Sequence, residues 1–151
     1  MEQVRLYVLD TDHVSLFQRE HPQVVSKIRE TPPALLAVTI ITVEEQLRGR
    51  LAQIKRFSHK TSPPEALFKA FAELRKTMHF FNSIKVLDFD IASDAQFKIL
   101  HQHKIRVSTN DLRIAAVVLA TDNILVTRNR HDFEQIPGLA IEDWSQMSLS
   151  S

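Results

Sequence analysis

The sequence predicts an α/β protein: a sandwich of helices around a mainly parallel central sheet, with a helical hairpin between two of the strands. Short continuous apolar runs alternate along the chain with segments whose apolar residues recur at helical spacing. Strands that alternate with helices are typical of parallel sheets. With 151 residues in the chain, we expect one domain over residues 1–151.

The first strand is predicted at residues 4–9, a short run with β-branched and aromatic side chains. A helix through Phe17 should follow, because short oxygen-bearing side chains accept hydrogen bonds from the free N–H groups of a first helical turn. Three residues can provide that cap: Asp10, Thr11 and Asp12. A second short helix begins in "HPQVVSKIRE", where proline takes the first helical position. Residues 34–39, a continuous apolar run, are predicted to form the next strand.

Two long amphipathic helices come next and are predicted to form the hairpin. The first runs from Thr42, which stands three residues before Glu45 as in a capping box. Its predicted inward stripe is Val43, Leu47, Leu51 and Ile54. The second helix begins in "PEALFKAFAELRKTMHFF", after a proline-containing loop. Its predicted inward residues are Leu67, Phe68, Phe71, Leu74 and Met78.

The C-terminal half continues the alternation of strands and helices. A strand in "IKVLDFD" precedes a helix in "IASDAQFKILHQHKI". The following helix has an almost wholly apolar body over residues 112–120, which predicts burial on most of its sides. Its candidate caps are Ser108, Thr109 and Asn110. Residues 124–127 form a further buried strand, and "LAIEDW" is the candidate for the last one.

Acidic and amide side chains follow several of the predicted strands. Asp10 follows the first strand, Glu45 lies in the first turn of the helix after the second, and Asp111 opens the buried helix. Asn129 and Asp132 follow the strand at 124–127. Because open parallel sheets bind ligands at the carboxyl ends of their strands, we expect these side chains to share one acidic pocket.

Such a pocket favours a hard divalent cation, because closely packed carboxylates repel one another. Mg²⁺ prefers oxygen ligands, and beside a phosphodiester it activates water and stabilises the charge on the attacked phosphate. The pattern therefore predicts metal-dependent phosphoester hydrolysis. Taken singly, each acid also has a structural explanation, as a helix cap or as a favourable charge at a helix start. Their shared location after strands favours the catalytic interpretation.

The composition narrows the class of function. The chain has 19 basic and 18 acidic residues and a net charge of +1, so any contact with nucleic acid must be local rather than spread over a polycationic surface. It has no cysteine, which excludes disulfides, thiol nucleophiles and cysteine-bound zinc. No run approaches about 18 consecutive apolar residues, so we expect a soluble, cytoplasmic protein without a membrane segment.

Histidine and phenylalanine side chains are weaker candidates for the site. His101 and His103 are two residues apart, whereas a helical metal pair needs a spacing of four, so we expect them at the surface. His13 and His131 flank the proposed acids and are candidates for substrate contact. Several phenylalanines are expected in the core or on a partner-facing surface: Phe57, Phe68, Phe71, Phe80 and Phe81.

Four segments, in this order along the chain, resemble one known family. They are "YVLDTDHVS", "TIITVEEQLRG", "TNDLRIAAVVLATDNILVTRNRHDF" and "IPGLAIEDW". Together they resemble the PIN-domain ribonucleases of bacterial toxin–antitoxin systems, the VapC-like toxins. The resemblance covers nearly the whole chain and implies a three-layer α/β/α fold and a Mg²⁺- or Mn²⁺-dependent endoribonuclease acting on RNA. It also implies a homodimer and a cognate antitoxin protein that blocks the site.

The resemblance also implies roles for individual residues. The first three acids of the family fall on Asp10, Glu45 and Asp111, with Asp10 and Asp111 as direct metal ligands and Glu45 acting through water. Many relatives have an aspartate two residues after Thr127, where this chain has Asn129. The nearby Asp132 is then the fourth acid, with Thr127, Asn129 and Asp12 in supporting roles.

Two other functions stay open at this stage. A PIN-like module that binds RNA with little turnover is compatible with Asn129 in place of an acid. A haloacid-dehalogenase-type phosphatase is suggested by "LDTDH", in which Asp10 would be the nucleophile. That class also needs a suitably placed lysine and a later acidic pair, and neither is convincingly arranged in this sequence.

Overall fold

A five-stranded, all-parallel sheet forms the centre of the protein, with strand order β3-β2-β1-β4-β5. The computed structural model describes residues 4–147, and the two ends of the predicted 1–151 domain lie outside that range. The strands are β1 (Tyr7–Leu9), β2 (Leu36–Thr39), β3 (Lys85–Leu87), β4 (Ile124–Val126) and β5 (Ala140–Glu142). The helices are α1 (Thr11–Gln18), α2 (Pro22–Glu30), α3 (Ile40–Arg56), α4 (Pro64–Asn82), α5 (Ile91–Gln102), α6 (Thr109–Thr121) and α7 (Arg130–Phe133).

The strand order changes direction at β1, which pairs with β2 on one side and with β4 on the other. Tyr7 lies opposite Leu36 in β2 and opposite Ile124 in β4. The carboxyl ends of these three strands therefore meet at the same edge of the sheet. This is the point at which open α/β sheets form a ligand crevice.

Helices cover both faces of the sheet, as predicted. Val8 and Leu125 pack with the apolar side of α6 in one core cluster. Their chain neighbours Leu9 and Val126 belong to a second cluster that includes Val14 of α1. Successive strand residues point to opposite faces, so the two clusters are the two halves of an α/β/α sandwich. Within residues 4–147, no helix has the length and apolar character needed to cross a bilayer.

The start of α3 differs from the prediction. The helix begins at Ile40, with Thr39 as its N-cap, and the Thr39 hydroxyl accepts a hydrogen bond from the Thr42 N–H at 3.3 Å. The predicted capping box from Thr42 to Glu45 is therefore wrong, and Glu45 lies in the second turn rather than the first. The predicted strand at 34–39 is also shortened, because a 3-10 turn at Pro33–Leu35 precedes β2.

The inward face predicted for α4 is also largely wrong. Phe68, Phe71 and Met78 are 67%, 52% and 53% exposed. The buried residues of α4 are Ala70, Thr77 and Phe81. Small side chains lie toward α3 because the hairpin brings the two helices close together, and Arg50 of α3 donates to the Thr77 hydroxyl at 2.9 Å. The sequence pattern did not identify the buried face because α4 carries apolar residues on two faces.

On α3, the predicted inward residue Leu51 is also 57% exposed.

Two phenylalanines of α4 provide a direct test of which face is buried. Phe81→Ala should lower the free energy of unfolding by about 3–5 kcal/mol, because it leaves a cavity in the core. Phe71→Ala should change it by less than about 0.5 kcal/mol, because that ring is mostly in solvent. Urea unfolding followed by circular dichroism measures both values. An equal cost for the two substitutions would contradict this orientation of α4.

Candidate active site

An open cleft of about 630 Å³ lies at the carboxyl edge of the sheet, where β1 and β4 end. Its lining residues are Asp10, Thr11, Asp12, Ser15, Glu45, Asp111, Arg128, Asn129 and Phe133. The acids at Asp10, Glu45 and Asp111 come from the end of β1, from α3 and from α6, which are far apart in sequence. The structure thus brings the three predicted acids and Asn129 into one cleft, while their chemical roles stay predictions.

Asp10 links the first strand to the first helix. Its backbone N–H donates to the Val126 carbonyl at 3.0 Å, which extends the β1–β4 pairing by one bond. Its carboxylate caps α1 by accepting from the His13 N–H at 2.7 Å. The residue is only 6% exposed, so both its backbone and its side chain have defined positions at the bottom of the cleft.

Glu45 is held by two threonines from different elements. Its Oε1 accepts a hydrogen bond from the Thr11 hydroxyl at 2.8 Å. The Thr11 hydroxyl in turn lies 3.1 Å from the Thr42 hydroxyl, one turn before Glu45 on α3. The carboxylate is therefore tied to α1 across the cleft, an arrangement that replaces the predicted capping role.

Asp111 lies in the first turn of α6, directed into the same cleft. Ser108 caps this helix by accepting from the Asp111 N–H at 3.1 Å. Burial raises the pKa of Asp111, and the negative charges of Asp10, Glu45 and Asp132 raise it further against the opposing hydrogen bond with Ser108. Burial and the neighbouring acids therefore both disfavour the charged form of the Asp111 carboxyl.

The fourth predicted position is shared between two residues. The Asn129 side-chain N–H donates to Asp132 Oδ2 at 2.9 Å. Asn129 lines the cleft and Asp132 does not, so the expectation that Asp132 shares the pocket is wrong. The negative charge of Asp132 still contributes to the raised pKa of Asp111. Thr127 is fully buried, and its hydroxyl accepts from the Asn129 N–H at 3.0 Å. Thr127 does not line the cleft itself. Its hydroxyl stabilises the turn that places Asn129 in the cleft.

An ion pair at the rim of the cleft was not anticipated from the sequence. Arg128 pairs with Asp12 through both its Nε and an Nη atom, and both side chains are about half exposed. Among residues 4–147, Arg128 is the basic residue that lines the cleft. Its position directly after Thr127, at the end of a strand, was the signal available in the sequence, since the strand-end rule applies to basic as well as acidic residues.

The histidines are placed differently from one another. His13 is 0% exposed, so the predicted contact of His13 with substrate is wrong. His131 is exposed and does not line the cleft. His101 and His103 are exposed at the end of α5, as expected for surface residues.

The donor set suits a hydrated hard cation more than a fully protein-bound one. Within residues 4–147, no three histidine, aspartate or glutamate side chains are close enough to form a ready-made metal site. Mg²⁺ commonly takes only one or two carboxylates directly and keeps several waters. Asp10 and Asp111 supply such carboxylates, and the open cleft has room for the waters. The residues present therefore fit a Mg²⁺ or Mn²⁺ ion.

Comparisons with known proteins give a consistent result. No family model matches the chain. It is 24% identical over 147 residues to the tRNA(fMet)-specific endonuclease VapC of Salmonella typhimurium, covering 91% of this chain and 97% of that protein. It is 30% identical over 71 residues to ribonuclease VapC2 of Rickettsia felis, covering 44% of this chain and 53% of that one.

The structural similarity extends over the whole fold. The crystal structure of DNA-bound VapBC from Salmonella typhimurium aligns with a TM-score of 0.72 at 21% identity, over 93% of this chain and 99% of that chain. The chain has the fold of the VapC proteins. The resemblance read from the sequence is thereby confirmed, and the acidic cleft lies within a VapC fold that the two chains share almost end to end.

The charge on Asp111 has a measurable effect on stability. Asp111→Asn should raise the melting temperature in EDTA at pH 7, by about 2–4 °C for each kcal/mol gained, because it removes a disfavoured charge. Since the folded-state pKa is raised, the cost is present above that pKa and vanishes as pH falls below the pKa of the unfolded chain. Differential scanning fluorimetry at pH 7 and pH 4 measures the difference between the two proteins. A difference that grows toward acid pH would contradict this account.

Proposed function

We propose that the protein is a metal-dependent endoribonuclease and the toxin of a toxin–antitoxin pair. The observation that carries the proposal is the meeting of Asp10, Glu45 and Asp111 in one open cleft of a VapC fold. The names of the two relatives, an endonuclease specific for tRNA(fMet) and a ribonuclease, support RNA as the substrate class. An open cleft rather than an enclosed pocket also suits a polymer.

We assign the site residues as follows. Asp10 and Asp111 would bind a Mg²⁺ or Mn²⁺ ion directly. Glu45 would act through a water molecule, which it would orient by accepting a hydrogen bond from it. When bound, the ion supplies Lewis-acid stabilisation of the attacked phosphate and a more acidic water. Thr11 holds the Glu45 carboxylate at 2.8 Å and keeps it aimed across the cleft.

Asp132 is proposed as the fourth acid, acting mainly through Asn129. The bond from Asn129 to Asp132 fixes the amide so that its oxygen remains available toward the cleft. Because Asn129 carries no charge, this side of the cleft is a weaker cation site than the side formed by Asp10 and Asp111, which favours a single ion.

In the proposed reaction a water molecule attacks the phosphorus of an RNA phosphodiester. A new P–O bond forms, the P–O bond to one ribose breaks, and the departing oxygen takes up a proton.

Among residues 4–147, no lysine lines the cleft, so the alternative phosphatase with Asp10 as nucleophile lacks a group that it requires. The RNA-binding module with weak turnover remains the second candidate, favoured by the uncharged Asn129.

RNA cleavage tests the proposal directly. The purified protein should cut total bacterial RNA into discrete fragments in Mg²⁺ or Mn²⁺, and EDTA should stop the reaction. Asp111→Asn should abolish cleavage because it removes a direct ligand, while Asp132→Asn should slow it by about 10- to 100-fold as an outer-sphere partner does. Gel electrophoresis of end-labelled RNA measures the rates.

The matched control is Asp88→Asn. Asp88 directly follows β3 at the same edge of the sheet but is exposed and lies outside the cleft. This variant should cleave like the unaltered protein. Cleavage retained in Asp111→Asn would contradict the site, and RNA binding without metal-dependent cleavage would favour the binding module.

We also propose two protein partners, a second copy of this chain and a cognate antitoxin, in the cytoplasm. Solved relatives include a toxin–antitoxin complex from Klebsiella pneumoniae at a TM-score of 0.69. The exposed face of α4, formed by Phe68, Phe71 and Met78, supports a protein partner, since large apolar side chains at helical spacing in solvent are typical of interfaces.

The mass in solution tests the homodimer. Light scattering at micromolar concentration should give twice the 17.4 kDa of one chain. Phe71→Arg should yield the monomer if the dimer uses the exposed face of α4, because a charge would be buried without a partner. A dimer that persists in Phe71→Arg leaves this face for the antitoxin, and a monomeric parent protein would contradict the homodimer.

A further inference from the structure

We infer that His13 is a positioning residue that fixes the Asp10 carboxylate and leaves one of its oxygens free for the cation. The inference rests on the proposed function, in which Asp10 is a metal ligand. All seven histidines lie within residues 4–147, and His13 is the one whose side chain is buried, at 0% exposure. Its imidazole lies between Asp10 and the segment that follows β5.

The hydrogen bonds to the ring determine where its proton resides. The backbone N–H of Trp144 donates to His13 Nε2 at 3.3 Å, so Nε2 acts as an acceptor and carries no hydrogen. A neutral imidazole has one N–H, which must then be on Nδ1. Nδ1 lies 3.2 Å from Asp10 Oδ1, within reach for donation to that oxygen.

Both N–H groups of His13 therefore converge on the same carboxylate oxygen. The backbone N–H donates to Asp10 Oδ1 at 2.7 Å, and the ring Nδ1 approaches it at 3.2 Å. No other residue within 4–147 donates to the second oxygen, Oδ2. Since Asp10 lines the cleft, this arrangement leaves Oδ2 as the oxygen for a cation or its water. Ligating carboxylates are commonly oriented by such outer hydrogen bonds.

The back of the ring is held by the C-terminal part of the chain. Trp144 is 4% exposed and packs its ring at 5.3 Å from Tyr7 of β1. The Asp143 carboxylate, 3.7 Å from His13 Nε2, is occupied by hydrogen bonds from the N–H and hydroxyl of Ser145. The last described segment thus determines the orientation of His13, and through His13 the orientation of the first acid of the site.

Two substitutions separate positioning from simple packing. In His13→Asn the side-chain amide nitrogen takes the place of Nδ1 and keeps the donor to Asp10, while the acceptor for Trp144 is lost. In His13→Gln the amide oxygen takes the place of Nε2 and keeps that acceptor, while the donor to Asp10 is lost. Val24→Ala, in the buried side of α2 and outside the cleft, is the control for loss of stability alone.

The readout is Mn²⁺ affinity, measured from the free-ion signal by electron paramagnetic resonance, together with the melting temperature in EDTA. His13→Gln should bind Mn²⁺ about 10- to 100-fold more weakly. His13→Asn and Val24→Ala should stay within about threefold of the unaltered protein, whatever their melting temperatures. Equal Mn²⁺ affinity in the two His13 variants, or affinities that simply follow the melting temperatures, would overturn the inference.

A measurement on the unaltered protein keeps the test decisive if either variant fails to fold. Long-range ¹H–¹⁵N correlation of the buried imidazole should show a protonated Nδ1 and a bare Nε2, and Mg²⁺ should shift the Nδ1–H resonance. A proton on Nε2 would overturn the inference.

If the protein neither binds Mn²⁺ nor cuts RNA, the proposed function fails together with the inference. If it does both while His13→Gln binds Mn²⁺ normally, only the inference fails.

Discussion

Pairing of β1 between β2 and β4 is the constraint on which the rest of the structure depends. These parallel ladders align three strand ends, and the bond from the Asp10 N–H to the Val126 carbonyl continues the β1–β4 pairing into the site itself. Because the chain leaves β1 in one direction toward β2 and returns on the other side as β4, the crevice between them opens at the carboxyl edge. A slip of one residue in this register would move Leu9 and its neighbours to the wrong face of the sheet.

Burial of an acidic side chain in the cleft carries an electrostatic cost, and local structure offsets part of it. A helix cap such as Asp10 stabilises by about 0.5–2 kcal/mol, and an acid in a first helical turn such as Asp111 by about 0.3–1 kcal/mol. Burying an uncompensated charge costs several kcal/mol. Burial raises the pKa of Asp111, and the neighbouring acids raise it further. A cation bound as proposed by Asp10 and Asp111 would offset this cost, because it would place a positive charge between the two carboxylates.

Hydrogen bonds from neighbouring side chains orient three acids in or next to the cleft. The Thr11 hydroxyl donates to Glu45, and the Asn129 amide donates to Asp132. The His13 ring lies within hydrogen-bond distance of Asp10. Two of these arrangements depend on β5 and the segment that follows it. The Thr127 N–H donates to the Glu142 carbonyl of β5 at 2.8 Å, and the Trp144 N–H, two residues after β5, donates to His13. Neither β5 nor the described segment after it lines the cleft, yet the segment supports the first position of the site and β5 supports the fourth.

Sequence alone determined the alternation of strands and helices, the parallel sheet and the grouping of Asp10, Glu45, Asp111 and Asn129 at one edge. These follow from short-range periodicity and from the general rule for strand ends, which need no knowledge of contacts. Tertiary structure decided which face of α4 is buried, because Phe68 and Phe71 fit a helical stripe as well as Ala70 does. It also decided the burial of His13 and the pairing of Arg128 with Asp12. Such contacts join residues more than 100 positions apart in the chain, as Trp144 joins His13, and no local pattern specifies them.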